Sequence, residues 1–128
     1  MARVLVIDDE EMIRWSIEQT LRAAGHEVTV CETAAGGMAL YQRLHPEVVL
    51  LDLRLPDASG ATVLQAIKSK NGPPTETAVI VMTAFEEDCT VDDAKRLGAF
   101  EYLKKPFDFD ELGALVHKAL RSTSPAAL

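Results

Sequence analysis

Two hydrophobic periods alternate along this chain. Apolar blocks occur at Val4-Leu5-Val6-Ile7 after Arg3, Val48-Val49-Leu50-Leu51 and Ala78-Val79-Ile80-Val81-Met82, with a mixed one at Glu27–Cys31 and a shorter one at Tyr102-Leu103. Blocks of that length, rich in Val, Ile and Leu, read as strands buried on both faces, the signature of a parallel sheet. Between them the apolar positions spread to helical spacing. Ile13, Ile17 and Leu21 form a stripe that predicts a helix over Glu11–Ala24, stopped by Gly25. A second helix is expected over Ala34–Leu44, with Ala35, Met38 and Leu40 inward and His45-Pro46 at its end. Its Gly36 and Gly37 each weaken it by up to about 1 kcal/mol relative to Ala. A third begins near Ser59, uses Val63, Leu64 and Ile67, and stops at Asn71-Gly72-Pro73-Pro74. A fourth covers Asp88–Leu97, with Val91, Ala94 and Leu97 inward and Gly98 as its stop. The fifth runs from Asp108 to Leu120 along Leu112, Leu115, Val116 and Leu120.

Five strand–helix units with short loops predict an α/β fold: a five-stranded parallel sheet, doubly wound, with strand order 2-1-3-4-5 in the flavodoxin-like manner. All strand C-termini then share one edge, and ligands bind in the crevice outside it. The first block runs into Asp8 and Asp9, the third into Asp52, the fourth into Thr83 and the fifth into Lys104, Lys105 and Pro106. Residues scattered over the sequence are thus expected in one pocket.

The length of 128 residues suits one domain, expected at residues 1–121, followed by a small polar tail at 122–128 that reads as the start of a linker. Hydrophobic residues make up 48% and charged ones 26%, so a core needs neither disulfides nor a structural metal. A net charge of −7 argues against direct nucleic acid binding or attachment to an anionic membrane through the general field. Cys31 and Cys89 lack metal-ligand spacing with any histidine and read as packing or surface thiols. No apolar stretch approaches the roughly 20 residues that span a bilayer, and Met1-Ala2-Arg3 enters a strand without a leader, so the cytoplasm is the expected location.

Three ionised carboxylates about 5 Å apart would repel by roughly 3 kcal/mol per pair at an effective dielectric near 20. Protonation or a cation must relieve this. All-oxygen ligands suit Mg²⁺, Mn²⁺ or Ca²⁺ rather than Zn²⁺, and few ligands with open positions favour Mg²⁺. A carboxylate beside such an ion, with Lys105 as a second cation and Thr83 as a hydrogen-bond donor, is equipped to accept a phosphoryl group. Each residue alone has a plainer reading. Asp8-Asp9 is a plausible helix cap, Asp52 a turn residue and Lys105-Pro106 a solvated turn. Their joint placement at the strand ends favours the pocket.

The stretches Val6-Ile7-Asp8-Asp9-Glu10, Leu50-Leu51-Asp52-Leu53-Arg54-Leu55-Pro56 with Gly60, Val81-Met82-Thr83-Ala84, and Gly98-Ala99-Phe100-Glu101-Tyr102-Leu103-Lys104-Lys105-Pro106-Phe107 together resemble the receiver domain of two-component response regulators, over essentially the whole chain. The resemblance implies that Asp52 is the phosphoacceptor, which with Lys105 carries the self-phosphorylation. It implies Asp9 as a direct Mg²⁺ ligand, Mn²⁺ being able to substitute, with Asp8 assisting through water and the Arg54 backbone carbonyl completing the protein ligands. Thr83 and Lys105 match the residues that hold the phosphoryl oxygens, and Tyr102 the aromatic that rotates inward on activation. Arg54 and Phe85 flank the path of attacking water and are expected to tune the phosphate's lifetime. Lys104 is expected to face solvent.

Ile13-Arg14-Trp15 and the run ending Pro106-Phe107-Asp108 resemble the nitrogen-regulator type, which sits ahead of an ATPase and a DNA-binding domain at sigma-54 promoters. That resemblance implies a sensor histidine kinase as partner and a homodimer formed through helix 4, strand 5 and helix 5. A haloacid-dehalogenase-type phosphatase is disfavoured, because the place of its second Asp holds Arg54. A nucleotide-binding domain lacks its glycine motif. A stand-alone receiver acting by protein contact is the remaining alternative.

Overall fold

The computed structural model describes residues 2–71, 77–84 and 91–123. Its elements are β1 (Arg3–Ile7), α1 (Glu11–Ala23), β2 (Glu27–Cys31), α2 (Ala34–Leu44), β3 (Val48–Asp52), α3 (Gly60–Asn71), β4 (Ala78–Thr83), α4 (Val91–Arg96), β5 (Glu101–Lys104) and α5 (Phe109–Thr123). The five strands are parallel and lie in the order β2-β1-β3-β4-β5, as the alternating pattern predicts.

Alternation along the central strands splits the core into two layers. Leu5, Ile7, Val49, Leu51, Val79 and Val81 pack with Val63, Leu64 and Ile67 of α3 and Tyr41 of α2. Val4, Val6, Val48, Leu50, Ile80 and Met82 pack with Ile17 and Leu21 of α1 and Leu112, Val116 and Ala119 of α5. Every residue of β3 and β4 is buried. A fully buried Leu or Ile contributes about 2 kcal/mol by leaving water, so these strands anchor the molecule. β5 differs. It has four residues, one neighbouring strand, and one buried position, Leu103.

The helix α2 departs from its sequence reading. Its buried residues are Ala34, Gly37 and Tyr41, while Ala35 is exposed and Met38 and Leu40 are partly buried. Gly37 is there for packing: a Cβ would stand 2.5 Å from Ile7 Cδ1, so only glycine lets α2 lie this close to β1. The helix ends at His45, which takes the left-handed conformation with φ 48°. Likewise α5 continues through Thr123, two residues into the segment read as a tail. Of the expected fourth helix, residues 88–90 lie outside the described residues, as do the turn at 72–76, Phe85 and Cys89.

Candidate phosphoryl-accepting site

Four strands deliver side chains to one edge of the sheet. Asp8 follows β1, and its N–H donates to the Cys31 carbonyl (3.0 Å), which extends the β1–β2 ladder by one residue. Asp52 is the last residue of β3 and Thr83 the last of β4, both buried. Lys105 follows β5, and its N–H donates to the Thr83 carbonyl (2.9 Å). Lys104 is exposed and Lys105 buried, as expected from the neighbouring proline.

The Lys105 ammonium is the hub. Its Nζ donates to Glu10 Oε1 (2.9 Å) and to Asp52 Oδ2 (3.3 Å). It stands 2.7 Å from Asp8 Oδ2, an ion pair whose alignment falls short of a hydrogen bond. The other oxygens are used by backbone: Asp8 Oδ1 accepts from the Glu10 N–H (2.9 Å) and Asp52 Oδ1 from the Arg54 N–H (3.2 Å). Arg14 Nη1 donates to the Asp8 carbonyl (2.8 Å) and fixes the turn after β1.

Burial pushes the Asp52 carboxyl up to about 6, and the charge of Asp8 adds to the rise; Lys105 and the Arg54 N–H pull the other way. For Lys105, burial opposes the charge, but its contacts with Asp8 and Glu10 and the charge of Asp52 outweigh it and raise the ammonium's pKa. With all groups ionised, three carboxylates against one ammonium leave two negative charges at a site where Asp8 and Asp52 are buried and Glu10 is exposed. Carboxylate oxygens of Asp8, Glu10 and Asp52 lie within 4.8 Å of one another. A hard divalent cation fits both that donor set and that excess charge.

Asp8, Asp52, Thr83 and Lys105 come together. Asp9, the expected direct ligand, is exposed and outside the carboxylate cluster, while Glu10, given no role from sequence, is inside it. The strand-end rule picks out the first residues after β1, and nothing in the sequence marks the third as reaching Lys105 across 95 positions. The Arg54 side chain is exposed; its backbone belongs to the loop that closes over Asp52. Tyr102 is partly buried against the α2–α3 side of the core. Phe85 lies outside the described residues. On the neighbouring face, Glu101 of β5 bridges Lys95 of α4 (3.3 Å) and Lys118 of α5 (3.7 Å). Among the described residues no helix is long and apolar enough to cross a membrane.

A family model described as the response regulator receiver domain matches residues 4–117. The regulatory protein AtoC of Escherichia coli K12 is 38% identical over 122 residues, which cover 95% of this chain and 26% of AtoC. The DNA-binding transcriptional regulator NtrC of the same strain is 38% identical over 117 residues, or 91% of this chain and 24% of NtrC. This chain therefore spans about a quarter of the length of those relatives. Among solved structures, NtrX from Brucella abortus superposes with a TM-score of 0.85 at 30% identity, covering 95% of this chain and 28% of NtrX. A CheY-like receiver domain protein from Methanospirillum hungatei JF-1 gives 0.84 at 27% identity, covering 96% of both chains.

Proposed function

The chain belongs to the response-regulator receiver domains, and from that premise we propose that it is a phosphorylation-controlled switch whose phosphoacceptor is Asp52. The observation that carries this reading is the meeting of Asp8, Asp52 and Lys105, with Nζ within 3.3 Å of both carboxylates, at the edge where Thr83 also ends its strand.

Asp52 is the nucleophile. One of its oxygens attacks the phosphorus of a kinase phosphohistidine; the O–P bond forms, the P–N bond breaks, and the imidazole leaves and is reprotonated by water. Mg²⁺, when bound, screens the approaching phosphate; the carboxylates of Asp52 and of the acidic turn Asp8-Asp9-Glu10, with the Arg54 carbonyl, would hold it. Lys105 exchanges its bond to Asp52 Oδ2 for a phosphoryl oxygen. The Thr83 hydroxyl donates to another phosphoryl oxygen. The space Thr83 vacates admits the Tyr102 ring, and the α4–β5–α5 face changes as the output surface. The two states differ by these contacts, which is what a ligand-biased equilibrium requires.

Similarity to AtoC and NtrC supports a transcriptional output, at sigma-54 promoters, through further domains. A sensor histidine kinase is the donor, and the receiver occupies residues 1–121. The test is direct. Incubation with Mg²⁺ and acetyl phosphate should add one phosphoryl group, seen by intact mass and lost to hydroxylamine. Asp52→Asn should remove the addition; if that variant is phosphorylated at the native rate, the assignment fails.

A further inference from the structure

The loop joining β3 to α3 carries the Arg54 backbone, two residues beyond Asp52. At its base it is closed tightly. The Gly60 N–H donates to the Leu53 carbonyl (2.8 Å), Arg54 pairs with Ser59, and a Cβ on Gly60 would fall 2.3 Å from the Asp52 carbonyl oxygen. The tip is held by a different device. Asp57 Oδ1 accepts from the Ala34 N–H (2.8 Å) and Oδ2 from the Ala35 N–H (3.0 Å), the first two amides of α2. Those amides have no intrahelical acceptor. Their donation holds the Asp57 carboxyl below the usual carboxylate range, so it is ionised throughout the neutral region.

Helix α2 already has a local cap, because Thr33 Oγ1 accepts from the Gly36 N–H (3.1 Å). Asp57 adds a second cap from another part of the chain, and its recipient matters. The segment entering α2 also holds the other side of the pocket: the Cys31 carbonyl accepts from the Asp8 N–H (3.0 Å), and Glu32 faces Arg14 (4.0 Å), which itself donates to the Asp8 carbonyl. The β2–α2 junction therefore ties the acidic turn after β1 to the loop bearing Arg54.

We propose that Asp57 is a positioning residue for the metal site: by tethering the β3–α3 loop to the start of α2, it sets the distance between the Arg54 carbonyl and the Asp8–Asp52 carboxylates. The proposal rests on the reading of this pocket as a Mg²⁺-assisted phosphoacceptor. Supporting residues behind a metal's direct ligands typically govern affinity by about 10- to 100-fold.

Mg²⁺ alone is titrated against the chain and followed by amide shifts at Asp52 and Arg54. Thermal melting is measured in parallel, with Asp57→Ala, Asp57→Asn and Thr33→Ala beside the native protein. Asp57→Ala should weaken Mg²⁺ by about 10-fold, and Asp57→Asn, which retains one acceptor oxygen, by less. Phosphorylation by phosphoramidate should slow in Asp57→Ala at low Mg²⁺ and recover at saturating Mg²⁺. Thr33→Ala, which removes the local cap and leaves the tether, should lower the melting temperature with native Mg²⁺ affinity. Unchanged affinity in Asp57→Ala overturns the proposal and leaves the phosphoacceptor reading standing. Equal weakening by Thr33→Ala overturns it in favour of plain helix stability. A native chain that binds no Mg²⁺ overturns both.

Discussion

Replacing Asp52 by Asn should stabilise the metal-free protein at neutral pH. Asp52 is buried beside Asp8, and its carboxyl is pushed from 3.8 up to about 6, first by burial and then by that neighbour's charge. The folded state thus holds the proton more tightly than the unfolded chain does. This contribution is fully present below pH 3.8 and is lost as the pH rises through about 6. A difference of that size corresponds to at most about 3 kcal/mol; the solvent that still reaches the site reduces it to about 1–2 kcal/mol. Asn has nearly the same shape and never ionises. In urea denaturation at pH 7.5 without divalent cations, Asp52→Asn should exceed the native protein by that 1–2 kcal/mol, or roughly 4–8 °C in melting temperature for a domain of this size. The gap should shrink at pH 5 and close near pH 3.5, where Asp52 of the native protein is protonated in the folded state and differs little from Asn. Mg²⁺ at pH 7.5 should stabilise the native chain and leave the variant nearly unchanged. A variant less stable than native at pH 7.5, or a gap independent of pH, would refute the repulsion argument.

Three further outcomes are expected. Asp9→Asn should weaken Mg²⁺ more than Asp8→Asn, by about 10-fold or more, with Trp15, 58% exposed on α1, as a fluorescence reporter; titration of Glu10→Gln beside them separates a ligand from a Lys105 partner, and a larger loss from Asp8→Asn reverses the assignment. Beryllofluoride should promote self-association in sedimentation, and Glu101→Lys, which breaks the bridge to Lys95 and Lys118, should suppress it; association indifferent to that reversal places the dimer on another face. The acyl phosphate should decay over minutes or longer, consistent with restricted water access, and Phe85→Glu should speed the decay; native decay within seconds would remove Phe85 as a gate.

The fold is legible in the sequence because its central strands are short apolar runs set between segments of helical period. Val48–Leu51 and Ala78–Met82 offer no polar face, so they belong between two helical layers. The helices are harder to read where packing depends on shape. Gly37 looks like a weakness in α2 until Ile7 is seen against it, and Tyr41 carries a hydroxyl that hides its place in the core. In the site, strand-end residues can be read because topology brings them together. Glu10 and Asp57 cannot, since each acts through a partner far away in sequence: Lys105 for the one, the first amides of α2 for the other. No local period or propensity encodes such a pairing.

The sheet is unevenly restrained, and this gives the molecule a mechanical polarity. β3, with Asp52 at its tip, is laddered to a strand on each side and buried along its length, so moving it would disrupt two sets of hydrogen bonds and both core layers. β5 is laddered on one side only and leads directly to Lys105. On the proposed reading, a charge added at the fixed centre would be relieved at the least cost by displacement of that rim. Tyr102 and Glu101 lie on the yielding strand. The pocket would then be the anvil, and the rim next to α4 and α5 the place where force would become motion.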